Sequence, residues 1–284
     1  MTDQDLYIGV DIGGTSIVAA LFSQSEMLDK ADIPAGAERP AMEIMDSLFQ
    51  VIRKVMKENV AGIGIGMPGF MDAESGEVLF INNIPSFNGF SVKKAVEKEF
   101  ALPVFQSNDA NCFALGEAWF GAAKSYKNVV GITLGTGMGG GIIINRKIHT
   151  GLAGGAGEVG CFEFRGGMAE LSCGSAFFAS EYNATGAELY KRAQNKDENA
   201  IEAFRKAGHN IGDVINILMF ILAPEAIVIG GSIAGAWEFL EKPIRERMHE
   251  FPVEIIAKNT GLVKAELDNA GLYGAAALCI SQMT

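Results

Sequence analysis

Two glycine-rich turns hold the residues whose chemistry is easiest to name. In "VDIGGTSIVAALF" Asp11 stands just ahead of Gly13, Gly14 and Thr15, and in "VVGITLGTGMGGGIIIN" Gly135, Thr136, Gly137 and Gly139 crowd a second turn. Glycine leaves the backbone N–H groups of a turn unobstructed and threonine adds a hydroxyl, so each turn suits the oxygens of a phosphate. A carboxylate beside a phosphate loop is repelled unless a cation lies between them, which puts Asp11 on the side of a magnesium ion. A transferred phosphate also needs an acceptor. In "QSNDAN", Asp109 can take a proton from an attacking hydroxyl and Asn108 can orient it. The same residues read as the cap of the following helix, and both roles can hold. Glu158, flanked by glycines in "GLAGGAGEVG", suits hydrogen bonds from a polyol, whereas Glu170 in "GGMAELS" reads equally as an exposed helix start.

The second turn matches G-x-G-x-x-G at Gly135, Gly137 and Gly140, the pattern of dinucleotide sites. That pattern requires a helix directly after the glycines, whose N-terminus holds the pyrophosphate. Here Gly141 is followed by Ile-Ile-Ile-Asn, a poor helix start and a good strand. The turn is therefore expected to be the tip of a hairpin.

The elements that must position these residues alternate between strand and helix. "LYIGVDIGGTSIVAALF" reads as strand, turn, strand, and helical spacing of apolar residues runs from Ala41 to Asn59. "VAGIGIGMPGF" is a buried strand, "SVKKAVEKEF" a helix capped by Ser91, and "LPVFQSNDAN" a short strand ending in polar residues. A long helix is expected over Ala200–Leu222, and "APEAIVIGGS" is a buried strand that stops at Gly230 and Gly231. This alternation predicts an α/β layer fold, and the pair of glycine hairpins suggests two similar lobes.

Composition excludes several classes. With 34 acidic and 23 basic residues the formal charge is −11, which opposes nucleic acid and anionic membranes as partners. The most apolar helical stretch, "VINILMFILAP", falls short of the roughly 20 residues a bilayer span needs, and no signal peptide is evident, so a cytoplasmic protein is expected. The four cysteines, Cys112, Cys161, Cys173 and Cys279, form no C-x-x-C and read as buried reduced thiols. His149, His209 and His249 read as surface or satisfied residues, and the 12 methionines as core filling.

Taken in order, "VDIGGT", "GIGMPGF", "NNIP", "NDAN", "LGTGMGGG", "GLAGGAGEVG", "PEAIVIGG" and "AGLYGAAAL" resemble the ROK family of repressors, uncharacterised reading frames and sugar kinases over nearly the full chain. The resemblance implies an actin-like, hexokinase-type fold of two α/β lobes with ATP and sugar in the central cleft. It implies an N-terminal lobe over 1–115, joined by a C-terminal helix at 271–284, and a C-terminal lobe over 116–270. It implies transfer of the γ-phosphoryl group of ATP, with magnesium, to a hexose hydroxyl, by default the 6-hydroxyl of glucose. Fructose, mannose, N-acetylmannosamine, N-acetylglucosamine or a β-glucoside remain open as acceptors.

Position by position, the resemblance makes Asp109 the general base, Asn108 and Glu158 sugar ligands, and Gly69 and Asn83 neighbours of the sugar. Asp11, Gly13, Gly14 and Thr15 match the first phosphate motif, and Gly135, Thr136, Gly137 and Gly139 the second. Gly230 and Gly231 match a glycine pair beneath the adenosine. Where the family has a histidine that touches the sugar and joins a zinc site with three cysteines, this chain has Cys161, and the cysteine-rich loop is shortened to "FEFRGGMAELSCGS". Cys161 and Cys173 cannot supply a tetrahedral set, so no zinc is expected. Glu170 falls where the family has a second sugar-binding glutamate, although the serine-glycine step after it is shifted. A sugar-responsive repressor is the contrasting class, disfavoured because the first strand begins near Leu6 with no helix-turn-helix before it. A sugar-binding protein without catalysis is the third, opposed by intact "DIGGT", "NDAN" and "GTGMGGG". The resemblance also suggests a homodimer.

Overall fold

The first glycine turn is the tip of a β-hairpin. The computed structural model describes residues 5–72 and 74–283. Residues 1–4 and 284, within the expected lobe limits of 1–115 and 271–284, lie outside the described residues. Strand β1 (Leu6–Ile12) pairs antiparallel with β2 (Ser16–Phe22), with Ile12 opposite Ile17 across the turn. Strand β3 (Met27–Pro34) adds an edge, and helix α1 (Ala41–Val55) covers the sheet with buried Ile44, Met45, Leu48, Val51, Ile52 and Val55. The periodicity suggested a helix to Asn59, but it ends at Val55. Met56 turns to extended backbone, because the chain must reverse before β4 (Val60–Met67) enters the sheet beside β1.

A small ribbon of β5 (Phe70–Met71) and β6 (Val78–Phe80) follows. Helix α2 (Val92–Phe100) comes next, capped by the Ser91 hydroxyl, which accepts the Lys94 N–H at 3.3 Å. Strand β7 (Val104–Asn108) then runs directly into helix α3 (Asp109–Trp119). The sheet order is β3-β2-β1-β4-β7, with β1, β4 and β7 parallel.

The second half repeats this layout. Strands β8 (Val129–Leu134) and β9 (Met138–Ile144) form the second glycine hairpin, and β10 (Lys147–Ile148) adds its edge. A short hairpin, β11 (Glu163–Phe164) and β12 (Gly167–Met168), leads into helices α4 (Ala169–Cys173), α5 (Ser175–Tyr182) and α6 (Gly186–Gln194). The long helix α7 (Glu198–Leu222) starts two residues before the expected Ala200, because Asp197 caps it by accepting the N–H groups of Asn199 and Ala200. Strand β13 (Ala226–Gly230) ends at the glycine pair, followed by a 3-10 turn over Ser232–Ala236 and helices α8 (Trp237–His249) and α9 (Glu254–Asn259). Strand β14 (Gly261–Lys264) and helix α10 (Ala270–Met283) complete the chain. The order β10-β9-β8-β13-β14 matches the first sheet strand for strand: an edge, a hairpin, then two parallel strands. Each sheet has its own apolar core.

Helices α3 and α10 pack between the two cores, joined through Cys112, Ala114, Leu115, Ala275 and Leu278. Their backbones meet without intervening side chains: a Cβ on Gly274 would overlap the Cys112 carbonyl, and one on Gly64 of β4 would overlap that of Ala275. Helix α10 is thereby pressed against both the first sheet and α3. Among the described residues no helix is long and apolar enough to cross a membrane.

Candidate active site

Each glycine hairpin ends at a tip that its sheet holds firmly. In the first, the Gly13 N–H donates to Ser16 O at 2.9 Å and the Ala35 N–H to Thr15 O at 3.0 Å, which fixes the loop around exposed Thr15. Asn83 lies against this tip, since a Cβ on Gly14 would sit 3.7 Å from it. In the second, the Gly135 N–H donates to Gly137 O, while Ser175 takes the outer carbonyls, N–H to Gly135 O at 2.9 Å and Oγ to Thr136 O at 3.1 Å. The start of α5 thus braces the tip.

Asp109 opens α3 where β7 ends. Asn108 is the cap: its Oδ1 accepts the Ala110 N–H at 2.8 Å and its Nδ2 donates to Gly69 O at 3.3 Å. Both readings of "NDAN" therefore coexist, with Asn108 fastened to the glycine turn and the Asp109 carboxylate left facing the cleft. Gly69 has φ +97°, a left-handed conformation that a side chain would oppose. A cavity of about 340 Å³ joins Asp109 to Gly135, Thr136, Gly137, Gly139, Glu170 and Gly231. Gly139 has a packing duty as well, because a Cβ there would stand 2.8 Å from Thr133 Oγ1 and 3.1 Å from Ala110 Cβ.

Four carboxylates converge on the cleft and feel one another. Burial, with the Asp109 charge adding to it, pushes the Asp11 carboxyl up to about 6. Burial raises that of Asp109, opposed by its bond from the Ala110 N–H; the residue is enclosed by protein yet solvent-accessible from the cleft, so solvent limits the rise. Burial also raises Glu158, offset by the Cys161 thiol at 3.7 Å, while Asp109 and Glu170 repel it. Glu170, at the start of α4, lies against Gly137 of the second tip. The cysteines depart from expectation at one position. All four are free, and Cys112, Cys173 and Cys279 are buried, but Cys161 is exposed because it ends the glycine loop on the cleft side. Among the described residues no three His, Cys, Asp or Glu side chains gather as a metal site.

One part of the site was not visible in the sequence. Beyond Gly231 and Ser232 lies an apolar cavity of about 360 Å³, lined by Gly186 and Ala187 at the start of α6, Tyr190, Phe204 of α7, and Ile233. A planar, mostly apolar group fits such a slot. Gly231, at φ +85°, lets the chain leave β13 against the Leu134 backbone, so this slot and the second hairpin tip adjoin. A cavity of about 530 Å³ lies beside α4 among Arg165, Lys206, His209 and Arg247. Carboxylates pair with its arginines, Asp213 with Arg165 and Arg247 and Glu250 with Arg247, and Glu246 meets the His209 ring at 3.0 Å. The cleft, where Asp11, Asp109, Glu158 and Glu170 form no ion pair among the described residues, is the chemically incomplete place.

Comparison with known proteins agrees with the motifs. The ROK family model matches residues 7–282. A glucokinase of Halalkalibacterium halodurans is 32% identical over 94% of this chain and 93% of its own length. An N-acetyl-D-glucosamine kinase of Histophilus somni is 30% identical over 98% of this chain and 100% of its own. The crystal structure of a ROK family glucokinase from Streptomyces griseus, in complex with glucose and AMPPNP, superposes with a TM-score of 0.78 at 29% identity, covering 96% of this chain and 98% of that one.

Proposed function

Because this chain belongs to the ROK family, we propose that it is a sugar kinase that transfers the γ-phosphoryl group of ATP to a hexose hydroxyl, by default the 6-hydroxyl of glucose. The observation that carries this reading is the convergence of Asp109 and the second glycine tip on one cavity, with Asp11 close enough to couple to Asp109. Adenosine takes the slot beside Tyr190 and Phe204, with Gly230 and Gly231 beneath it, and the triphosphate runs over Gly135, Thr136 and Gly137 toward Gly13, Gly14 and Thr15. Asp109 accepts the proton of the attacking hydroxyl, and its raised pKa makes it a better base than a free aspartate. Asn108, Glu158, Cys161 and Glu170 hold the sugar, with Gly69 and Asn83 beside it.

Asp11 fits a magnesium ion. Its carboxyl pays for burial without a bonded protein cation among the described residues, as a ligand reached through water would. Magnesium supplies neutralisation of phosphate charge. The lobes, 1–115 with the C-terminal helix and 116–270, close on the sugar and exclude water that would otherwise take the phosphoryl group.

An N-acylated hexosamine is the second reading for the acceptor, favoured by the resemblance to the Histophilus somni kinase. A coupled ADP-release screen over hexoses and N-acyl hexosamines, with and without magnesium, tests both. Asp109→Asn should lower turnover by at least about 10²-fold while ATP binding stays near wild type. Turnover near wild type in that variant would remove Asp109 from the mechanism. We place the protein in the cytoplasm as a homodimer, an assembly that sedimentation would test.

A further inference from the structure

Glu158, Cys161 and Glu170 all belong to one short stretch, 158–174, whose hairpin strands have two residues each. Strands of that length do not hold their own position. We propose that Asp213 of α7 is the positioning residue for this stretch, fastening it through Arg165 so that the three candidate sugar ligands face the cleft. The proposal rests on the kinase reading above for its substrate, but not for its geometry.

Arg165 sits at the tip of the hairpin and donates Nη2 to Asp213 Oδ2 at 2.5 Å. The other carboxylate oxygen, Oδ1, accepts Arg247 Nε of α8 at 2.6 Å, so one carboxylate ties hairpin, α7 and α8 together. Arg165 also lies over the Phe164 ring, 5.2 Å from its centroid. One turn earlier on α7, Asn210 donates Nδ2 to Ser172 O at 2.8 Å and pins the far end of α4. Between these two anchors the stretch closes on itself: the Ala169 N–H donates to Phe162 O and the Glu170 N–H to Gly160 O, both at 3.0 Å. A displaced tip therefore moves the backbone on either side of Cys161 and of Glu170 together.

The tip is held against its own preference. Arg165 has φ +54° and Gly166 φ +82°, a two-residue left-handed turn in which arginine is an unfavourable first residue. Asn or Gly would suit the turn better, so the arginine at this position is explained by its side chain. Asp213 is only 15% exposed at its side chain while Arg165 is 53% exposed, which leaves the pair open to screening by salt.

The test uses Arg165→Asn in the full chain, because asparagine tolerates the left-handed turn while it removes the ionic contact with Asp213 and the contact with the Phe164 ring. At saturating ATP the sugar KM should rise about tenfold or more, with the KM for ATP unchanged, since misplacement of a binding group by about 1 Å costs up to 10²-fold. Arg165→Lys should recover most of that loss. A hexose is neutral, so its own binding does not feel salt. Raising ionic strength should therefore increase the sugar KM of the wild type and leave that of Arg165→Asn flat, while Lys258→Ala, which breaks a remote pair with Glu254 on α9, should keep the wild-type response. Hydrogen exchange read over 158–174 should be faster in Arg165→Asn and unchanged in α7. This last measurement needs no substrate, so it stands even if no sugar is phosphorylated. Wild-type sugar KM together with wild-type exchange in Arg165→Asn would overturn the proposal, and so would exchange that speeds equally throughout the chain.

Discussion

Replacing Asp11 by asparagine should stabilise the nucleotide-free protein while disabling it. The folded carboxyl is raised from 3.8 to about 6, chiefly by burial and then by Asp109. At about 1.4 kcal/mol per pH unit the gap sets a ceiling of ~3 kcal/mol on what the ionised group costs the fold. Two features lower the ceiling. Asp11 is half-buried rather than sealed, and its Oδ2 faces the first turn of α10, where a Cβ on Gly271 would be 3.4 Å away and the helix N-terminus offers partial positive charge. A cost of about 1–2 kcal/mol remains. Because the folded value lies above the unfolded one, stability from this group is fully present below pH 4 and is lost as pH rises through 6. Asp11→Asn carries no charge at any pH. Its thermal midpoint, measured without nucleotide or magnesium, should exceed that of the wild type by roughly 2–8 °C at pH 8, at about 2–4 °C per kcal/mol for a large domain. The excess should shrink through pH 6 and vanish near pH 4. Phosphoryl transfer should fall by at least about 10²-fold. If Asp11→Asn melted at or below the wild type at pH 8, the carboxylate would not be penalised there, and the argument for a cation beside it would lose its physical basis.

Two further predictions concern the helices between the cores. Glu117 of α3 is fully buried, and its carboxylate accepts the N–H groups of Ala122 at 2.9 Å, Leu267 at 3.0 Å and Glu266 at 3.2 Å. Glu117→Gln turns an amide NH₂ toward those donors and should cost about 2–4 kcal/mol, read as a lower denaturation midpoint with an unchanged slope. Gly274→Ala places a methyl group inside the Cys112 carbonyl and should destabilise by about 3 kcal/mol or more, visible in the same titration; a neutral result would mean that α3 and α10 are not in backbone contact.

The parts of the fold that the sequence disclosed are the local ones. A hairpin tip, a helix cap and a glycine with positive φ each depend on three or four neighbouring residues, so Asp11, Thr15, Gly135, Ser91 and Asn108 could be placed from spacing alone. The slot beside Tyr190 could not, because it joins the start of α6, the middle of α7 and the turn after β13, three stretches with no common pattern. Glu117 was hidden for a related reason. Inside "CFALGEAWF" it reads as one polar residue on a helix, and its partners at 266 and 267 lie some 150 positions away. Arg165 and Asp213 reveal themselves only as a pair, 48 positions apart. The end of α1 failed for a tertiary reason: apolar Met56 continued the helical period, but the turn into β4 came first.

The mounting of Asp109 shows why the glycines of β9 extend beyond the tip. A base must meet the acceptor hydroxyl at the moment the phosphoryl group arrives, so base and phosphate loop gain from sharing one rigid frame. Asp109 begins on the strand end of the first sheet, yet α3 lies against the second. A Cβ on Gly139 would touch Ala110, and one on Gly141 would stand 2.7 Å from the Ala110 carbonyl and 2.9 Å from the Asn111 Cα. Only glycine at these positions lets the first turn of α3 rest on β9, directly behind the loop of Gly135, Thr136 and Gly137. On its other side α3 rests on α10, whose first turn reaches Asp11. Under the proposed reading, Asp109 and the loop of Gly135, Thr136 and Gly137 are therefore braced against each other through α3 and β9, while β7 ties Asp109 to the first sheet and its hairpin.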